Sequence, residues 1–220
     1  PQPGFLEGVR DLCSRKNIVL IFDECTSGFR ETLGGLHKKY EIEPDMALFG
    51  KALGNGYACT ACIGRRDVME AAQTTFISST FWTERIGPTA ALKTIEVMER
   101  EKTWETITKK GLDLRKRWDE LANKYKLKIN HNGIPSLCGY TFESKNSIKY
   151  KTFITQEMLK KNYLASTNCY LSIAHTDLII QNYIDQLESI FETISHCEDG
   201  MSIDDLLEGP PCHNGFKRLN

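Results

Sequence analysis

Five apolar residues in a row, Ile18-Val19-Leu20-Ile21-Phe22, stop abruptly at Asp23-Glu24. A continuous run of this length predicts a strand buried on both faces, as in a parallel sheet. Before it, residues 4–16 place Leu6, Val9 and Leu12/Cys13 on one helical face. Asn17 suits the left-handed position that closes such a helix. Two further short strands are predicted at 46–49 and 59–64, with the glycine-rich turn Gly50-Lys51-Ala52-Leu53-Gly54-Asn55-Gly56 between them. Strands and helices alternating over short connections predict an open α/β sheet. Ligands of such sheets lie beyond the carboxyl ends of the strands, where both Asp23 and Lys51 fall.

Further along, Pro88 fits the first turn of a helix reaching about Arg100, with Ala91/Leu92, Ile95 and Met98 turned inward. A longer helix follows. Its stripe of Trp104, Ile107, Gly111, Leu114, Trp118, Leu121 and Tyr125 reads as a core-facing surface. From Leu127 the period changes. Leu127, Ile129 and residues 138–142 read as strands split by the turn His131-Asn132-Gly133. A helix over 150–162, a strand over 170–173 and a helix capped by Thr176 complete the pattern, the last burying Ile180, Tyr183/Ile184, Leu187, Ile190/Phe191 and Ile194. Residues 1–105 are therefore expected to belong to one domain and 106–197 to a smaller α+β domain. The polar stretch 198–220, with Pro210-Pro211 in its middle, is expected to form an extended tail.

The balance of 28 basic and 29 acidic side chains excludes a global pull towards nucleic acid or anionic membrane. No apolar run approaches a membrane span and no signal peptide opens the chain, which begins at Pro1 and is read as a fragment. The eight cysteines include Cys59-x-x-Cys62, but no second such pair stands at zinc spacing. They read as buried, reduced thiols of a cytoplasmic protein.

Chemistry concentrates at Asp23 and Lys51. Taken singly, a carboxylate ending a strand reads as a loop cap and a lysine in a turn as a solvated charge. Their surroundings change that reading. The segments IVLIFDECTSGFR (18–30) and PDMALFGKALGNGY (44–57) resemble, in order and separation, the two signature segments of class III, fold-type I pyridoxal-phosphate (PLP) enzymes. The ω-aminotransferases and glutamate-1-semialdehyde aminomutase are of this type. The resemblance implies part of a fold-type I large domain, a mostly parallel sheet with helices, followed by a smaller C-terminal α+β domain.

It also implies a chemistry. PLP would be held as a Schiff base on Lys51, with Asp23 against its pyridine nitrogen. A buried carboxylate keeps that nitrogen protonated, and a closed, desolvated site favours the neutral amine that attacks an aldehyde. Lys51 would then also serve as general base and acid. Cys25 stands where the family usually has a valine pressed on the pyridine ring, and being smaller and polarizable it can still pack there. Within TFISSTFWTERIGPTAALKTIEVM (75–98), Thr80 matches the threonine that reaches the cofactor phosphate from the other subunit of a homodimer. Amides and hydroxyls near a helix start suit such an anion.

Phe81-Trp82-Thr83-Glu84-Arg85 and the end CHNGFKRLN (212–220) resemble a subgroup associated with surface-polysaccharide biosynthesis. Arg30 and Arg85 read as ion pairs or as clamps for a substrate carboxylate, and His175 as a helix cap. The implied reaction moves an amino group from an amino-acid donor to an aldehyde or ketone acceptor. An aminomutase of glutamate-1-semialdehyde type is the alternative, and a truncated, non-catalytic binding module is a third reading. Family members carry an N-terminal arm, a phosphate-binding loop and a stacking aromatic upstream of anything here, so an incomplete site is expected.

Overall fold

A computed structural model describes residues 1–78, 80, 83–213 and 215. The chain forms two compact units, Pro1–Thr106 and Ile107–Asn220.

In the first unit, helix α1 (Phe5–Lys16) ends on Asn17, whose φ of 53° lets its N–H reach the carbonyls of Cys13 and Ser14. Strand β1 is shorter than its apolar run, Ile21–Asp23, and pairs in parallel with β2 (Met46–Phe49) so that Asp23 stands opposite Leu48. β2 in turn pairs antiparallel with β3 (Ala61–Gly64). The sheet order is β1-β2-β3, one parallel and one antiparallel pair. β1 is thus an edge strand, and this corrects the expectation of burial on both faces: Ile18, Val19 and Ile21 are about half exposed. Of the run only Leu20 is buried, and Phe22 is half-buried. A strand's burial depends on its neighbours, and among the described residues none covers the outer flank of β1.

The base of this sheet is tied by a buried carboxylate. Asp45 accepts from the Leu20 N–H at 2.7 Å, from Arg10 at 3.0 Å and from Arg65 at 3.1 Å. These three donors join α1, the entry to β1 and the exit of β3. The Leu20 N–H first, and the two guanidiniums after it, hold the Asp45 carboxyl below its ordinary range.

After β3 come a short helix, α2 (Arg66–Met69), and the long α3 (Ile86–Glu101). α3 buries Ala91 and Met98, and its Ala91 and Ile95 pack with Ala47 and Phe49 of β2. Leu92, expected inward with Ala91, is turned to solvent instead, because one residue along a helix rotates the side chain by about 100°.

The second unit holds most of α4 (Thr103–Lys124), then β4 (Ile129–Asn132), β5 (Leu137–Phe142), α5 (Ser147–Lys160), β6 (Asn168–Tyr170) and α6 (Asp177–Glu198). β4, β5 and β6 form an antiparallel sheet in that order. His131 and Asn132, expected in a turn, are the last residues of β4, and the reversal starts at Gly133 with φ of 73°. α4 approaches that reversal so closely that a Cβ on Gly111 would lie 1.9 Å from the Pro135 carbonyl oxygen. Arg115 donates to the carbonyls of Asn132 and Gly133 at 3.0 and 2.8 Å.

The core of this unit is aromatic at its centre. The Tyr140 ring lies 4.8 Å from Trp118 and 5.9 Å from Phe191, and all three are fully buried. The expected α6 stripe is mostly inside, with Leu187, Phe191 and Ile194 fully covered. Thr176 caps α6 by accepting from the Ile179 N–H. His175 sits just before the cap, its Nδ1 accepting from the Ser172 N–H at 3.0 Å. In the described part of the polar stretch after α6, Ile203 is buried in this core, and Gln156 and Thr152 of α5 bond to the backbone of Leu206, Glu208 and Cys212.

All eight cysteines are free thiols, but only Cys13, Cys138 and Cys197 are buried, and Cys62 is exposed. Among the described residues, no helix is long and apolar enough to cross a membrane.

Candidate active site

Because β1 and β2 run in parallel, their carboxyl ends open on the same side, and the two candidate residues arrive there together. Asp23 is the last residue of β1. Lys51 follows Phe49-Gly50 off the end of β2, in a single turn of 3-10 helix. Its φ of 44° is unusual for a residue with a side chain, a strain of about 1 kcal/mol or more. Bonds from the Leu53 N–H to the Gly50 carbonyl and from the Asn55 N–H to the Lys51 carbonyl hold this turn.

The Asp23 carboxylate accepts from the Cys25 N–H at 3.0 Å. That bond first, then the Cys25 thiol and the nearby Lys51 charge, push the Asp23 pKa down, so it is ionised at neutral pH. The same thiol bond to Asp23 raises the pKa of Cys25. A raised pKa favours the thiol over the nucleophilic thiolate. Its sulfur packs over Gly50, 3.6 Å from where a Cβ would stand on that residue. The Lys51 amine donates to the Thr26 hydroxyl. Asp23, Cys25 and Lys51 are thus one cluster.

Both Asp23 and Lys51 are exposed in this chain, in keeping with the incomplete site expected of it. Among the described residues no strand pairs with the outer edge of β1, the strand that ends in Asp23. Thr80 is an exposed turn residue, and no described hydrogen bond joins it to the cluster. Its neighbours Ser79, Phe81 and Trp82 lie outside the described residues, as do Asn214 and 216–220, so most of the two stretches that resemble the polysaccharide subgroup lie there too. The helix start that was expected to offer amides to an anion is already occupied. Glu84 accepts from the N–H groups of Ile86 and Gly87 at the head of α3. A carboxylate capping its own helix repels a second anion at those amides.

Arg30 donates through Nε to the Thr26 carbonyl at 2.8 Å, bracing the loop that carries Cys25 and Thr26. Arg85 is exposed at the head of α3 and takes part in none of the ion pairs of the described residues.

The sequence reading missed what holds this loop in place. Glu24, next to Asp23, is buried and points the other way. Its carboxylate accepts from the N–H groups of Leu36 and His37 at 2.7 and 2.9 Å and from Ser27 Oγ at 2.9 Å, and it lies 2.9 Å from His37 Nδ1. Gly28 presses on Phe49 so tightly that a Cβ would lie 2.6 Å from the ring. Phe29 meets the same ring edge-on, with centroids 5.3 Å apart. The signal available in the sequence was the pair of adjacent acids: in a strand whose side chains alternate, they face opposite ways.

A buried carboxylate-tied loop, an ionised aspartate and a lysine amine thus meet at the ends of two parallel strands. The chain matches the family profile "Aminotransferase class-III" over residues 1–195, and it belongs to that family. It is 35% identical over 183 residues to a 3-aminobutyryl-CoA aminotransferase of Cloacimonas acidaminovorans, covering 80% of this chain and 44% of that protein. It is 32% identical over 162 residues to a glutamate-1-semialdehyde 2,1-aminomutase of Prosthecochloris aestuarii, covering 72% and 38%. In fold it is similar to the PLP internal aldimine form of FumI from Sphingopyxis sp. MTA144, with a TM-score of 0.83, 22% identity, and 92% and 50% coverage. A second similar structure is Plasmodium falciparum ornithine delta-aminotransferase, with a TM-score of 0.77, 21% identity, and 90% and 53% coverage. At those identities the structures speak for the fold alone, that of fold-type I transaminases. The chain spans about half the length of the relatives it matches.

Proposed function

We propose that this chain is the lysine-bearing part of a PLP-dependent aminotransferase that moves an amino group from an amino-acid donor to an aldehyde or ketone. The observation that carries this reading is the meeting of ionised Asp23 and the Lys51 amine at the ends of β1 and β2 in a class-III family member.

The donor set suits the cofactor. An anionic carboxylate matches a pyridinium nitrogen, and a primary amine matches an aldehyde. Bound PLP supplies an electron sink for the electrons of a bond broken at the substrate α-carbon. Asp23 keeps a proton on the ring nitrogen, and its own bond to the Cys25 N–H keeps it anionic for that task. Lys51 would hold the cofactor covalently, and once freed its amine would carry a proton from the substrate α-carbon to the cofactor carbon that had borne the aldehyde. Cys25 packs beside the ring.

Thr80 binds the phosphate of a partner subunit's site in a homodimer, and residues 1–105, 106–197 and 198–220 correspond to large domain, small domain and tail. These assignments rest on the resemblance of the segments, as does an acceptor from surface-polysaccharide biosynthesis, which residues 81–85 and 212–220 favour. A cytoplasmic location is favoured by the free thiols.

The test is to add PLP to the protein at its natural length, reduce with borohydride and locate the label by mass. Label is expected on Lys51, and Lys51→Ala is expected to lose conversion of the cofactor by amino donors. Conversion retained in that variant would overturn the assignment. The 32% identity to an aminomutase favours a second reading, in which donor and acceptor are one carbon skeleton. A ¹⁵N-labelled substrate whose nitrogen stays in the same molecule selects it.

A further inference from the structure

Thr26 occupies a place that neither its sequence context nor the family reading gives a task. Its side-chain hydroxyl accepts from the Lys51 amine. Its backbone carbonyl accepts from Arg30 Nε at 2.8 Å. One residue on, Ser27 bonds to the buried Glu24 carboxylate, and two residues on, the Gly28 N–H returns to the Glu24 carbonyl at 2.8 Å. Gly28 then lies against Phe49, two residues before Lys51. The hydroxyl is therefore fixed on both sides: through Arg30 and Glu24 within its own loop, and through Phe49 against the strand end that carries Lys51.

We infer that Thr26 is a positioning residue for Lys51, and that the Glu24 carboxylate sets its place. This rests on the reading of Lys51 as the cofactor lysine. A lysine has four rotatable side-chain bonds, and its amine otherwise sweeps a wide volume. An N–H given to the Thr26 hydroxyl pins the nitrogen and fixes the direction in which its lone pair points once the amine is neutral. For a reaction with an aldehyde held nearby, orientation is a direct contribution to rate. For a small reagent arriving from any direction, it is not.

That difference separates positioning from mere structure. The protein at its natural length, freed of cofactor, is prepared as wild type, Thr26→Val and Thr26→Ser. Each is treated in parallel with PLP followed by borohydride and with acetic anhydride, and the rate of modification of Lys51 is read by mass against the other lysines. Thr26→Val, which keeps shape but lacks the hydroxyl, is expected to lower PLP trapping on Lys51 about tenfold, through loss of the orientation that the hydroxyl gives the amine. Acetylation of Lys51 is expected to stay within about twofold, since a small reagent needs no oriented amine. Thr26→Ser, which keeps the hydroxyl, is expected to restore trapping.

Trapping unchanged in Thr26→Val overturns the inference and leaves the proposed function standing. Trapping and acetylation falling together also overturn it, because the effect is then on the fold or on access to the amine. Wild-type protein that traps PLP on other lysines and not on Lys51 overturns the proposed function, and the positioning role with it.

Discussion

Replacing Gly28 by alanine tests the docking of the Asp23 loop on the Lys51 strand. The new Cβ would stand 2.6 Å from Phe49 Cδ1, 2.9 Å from Phe49 Cε1 and 2.9 Å from the Glu24 carbonyl oxygen. Ordinary carbon contacts need about 3.5–4.0 Å, so roughly 1 Å must be found. The carbonyl oxygen cannot give way cheaply, because it accepts the Gly28 N–H itself at 2.8 Å. The ring is buried and held edge-on by Phe29, so it moves only by disturbing the sheet core. Overpacking of this kind costs about 1–3 kcal/mol. For a unit of about 100 residues that is a fall in melting temperature of roughly 4–8 °C per kcal/mol. Urea titration followed by circular dichroism measures the loss directly. Phe49→Leu, which shortens the ring, should recover part of it in the double variant, a coupling of about 1 kcal/mol. A loss below about 0.5 kcal/mol for Gly28→Ala, or strictly additive effects in the double variant, would refute the reasoning that this contact is rigid.

Two other predictions concern stability. Asp45 has a lowered folded-state pKa, so its contribution is fully present above its ordinary value of 3.8 and is lost as pH falls through the lower folded value. The stability gap between wild type and Asp45→Asn should therefore be constant near neutrality and narrow below about pH 4; a gap that stays constant down to pH 2 by urea titration would count against the ion cluster. Thr176→Ala removes the hydroxyl that caps α6 and should cost about 1 kcal/mol, with faster amide exchange confined to the first turn after residue 176. Equal exchange in both proteins would show that the cap contributes nothing.

Much of this architecture was legible because its signals are local. Asn17 and Thr176 close and open their helices as their side chains dictate, and β2 occupies residues 46–49 as its pattern predicted. Asp23 and Lys51 come together because a parallel pair brings two strand ends to one side. The failures are those of long range. The apolar run at 18–22 reads as doubly buried, but burial belongs to a strand's neighbours, and β1 has one here. Glu24 gives no hint in sequence that it will reach Leu36 and His37, since its partners are backbone amides, which every residue carries. Gly28 reads as a loop glycine, and its contact with Phe49 appears only once β1 and β2 are paired. Glu84 takes the Ile86 and Gly87 amides at the head of α3, a local contact that the pattern of apolar and polar positions does not distinguish from a free helix start.

The buried Glu24 also bears on how the chain finds its fold. Parallel strands cannot be joined by a tight hairpin, and β1 and β2 are separated by residues 24–45. By fastening residue 24 to residues 36 and 37, the carboxylate closes most of that connection on itself and leaves only 38–45 to bridge the strands. On the logarithmic dependence of closure entropy on length, this lowers the entropic barrier to pairing by roughly 0.9 kcal/mol. Closing so short a loop takes on the order of 100 ns, far faster than sheet formation. The knot that fixes Thr26 in the finished protein thus also shortens the free connection between the strand ending in Asp23 and the strand leading to Lys51.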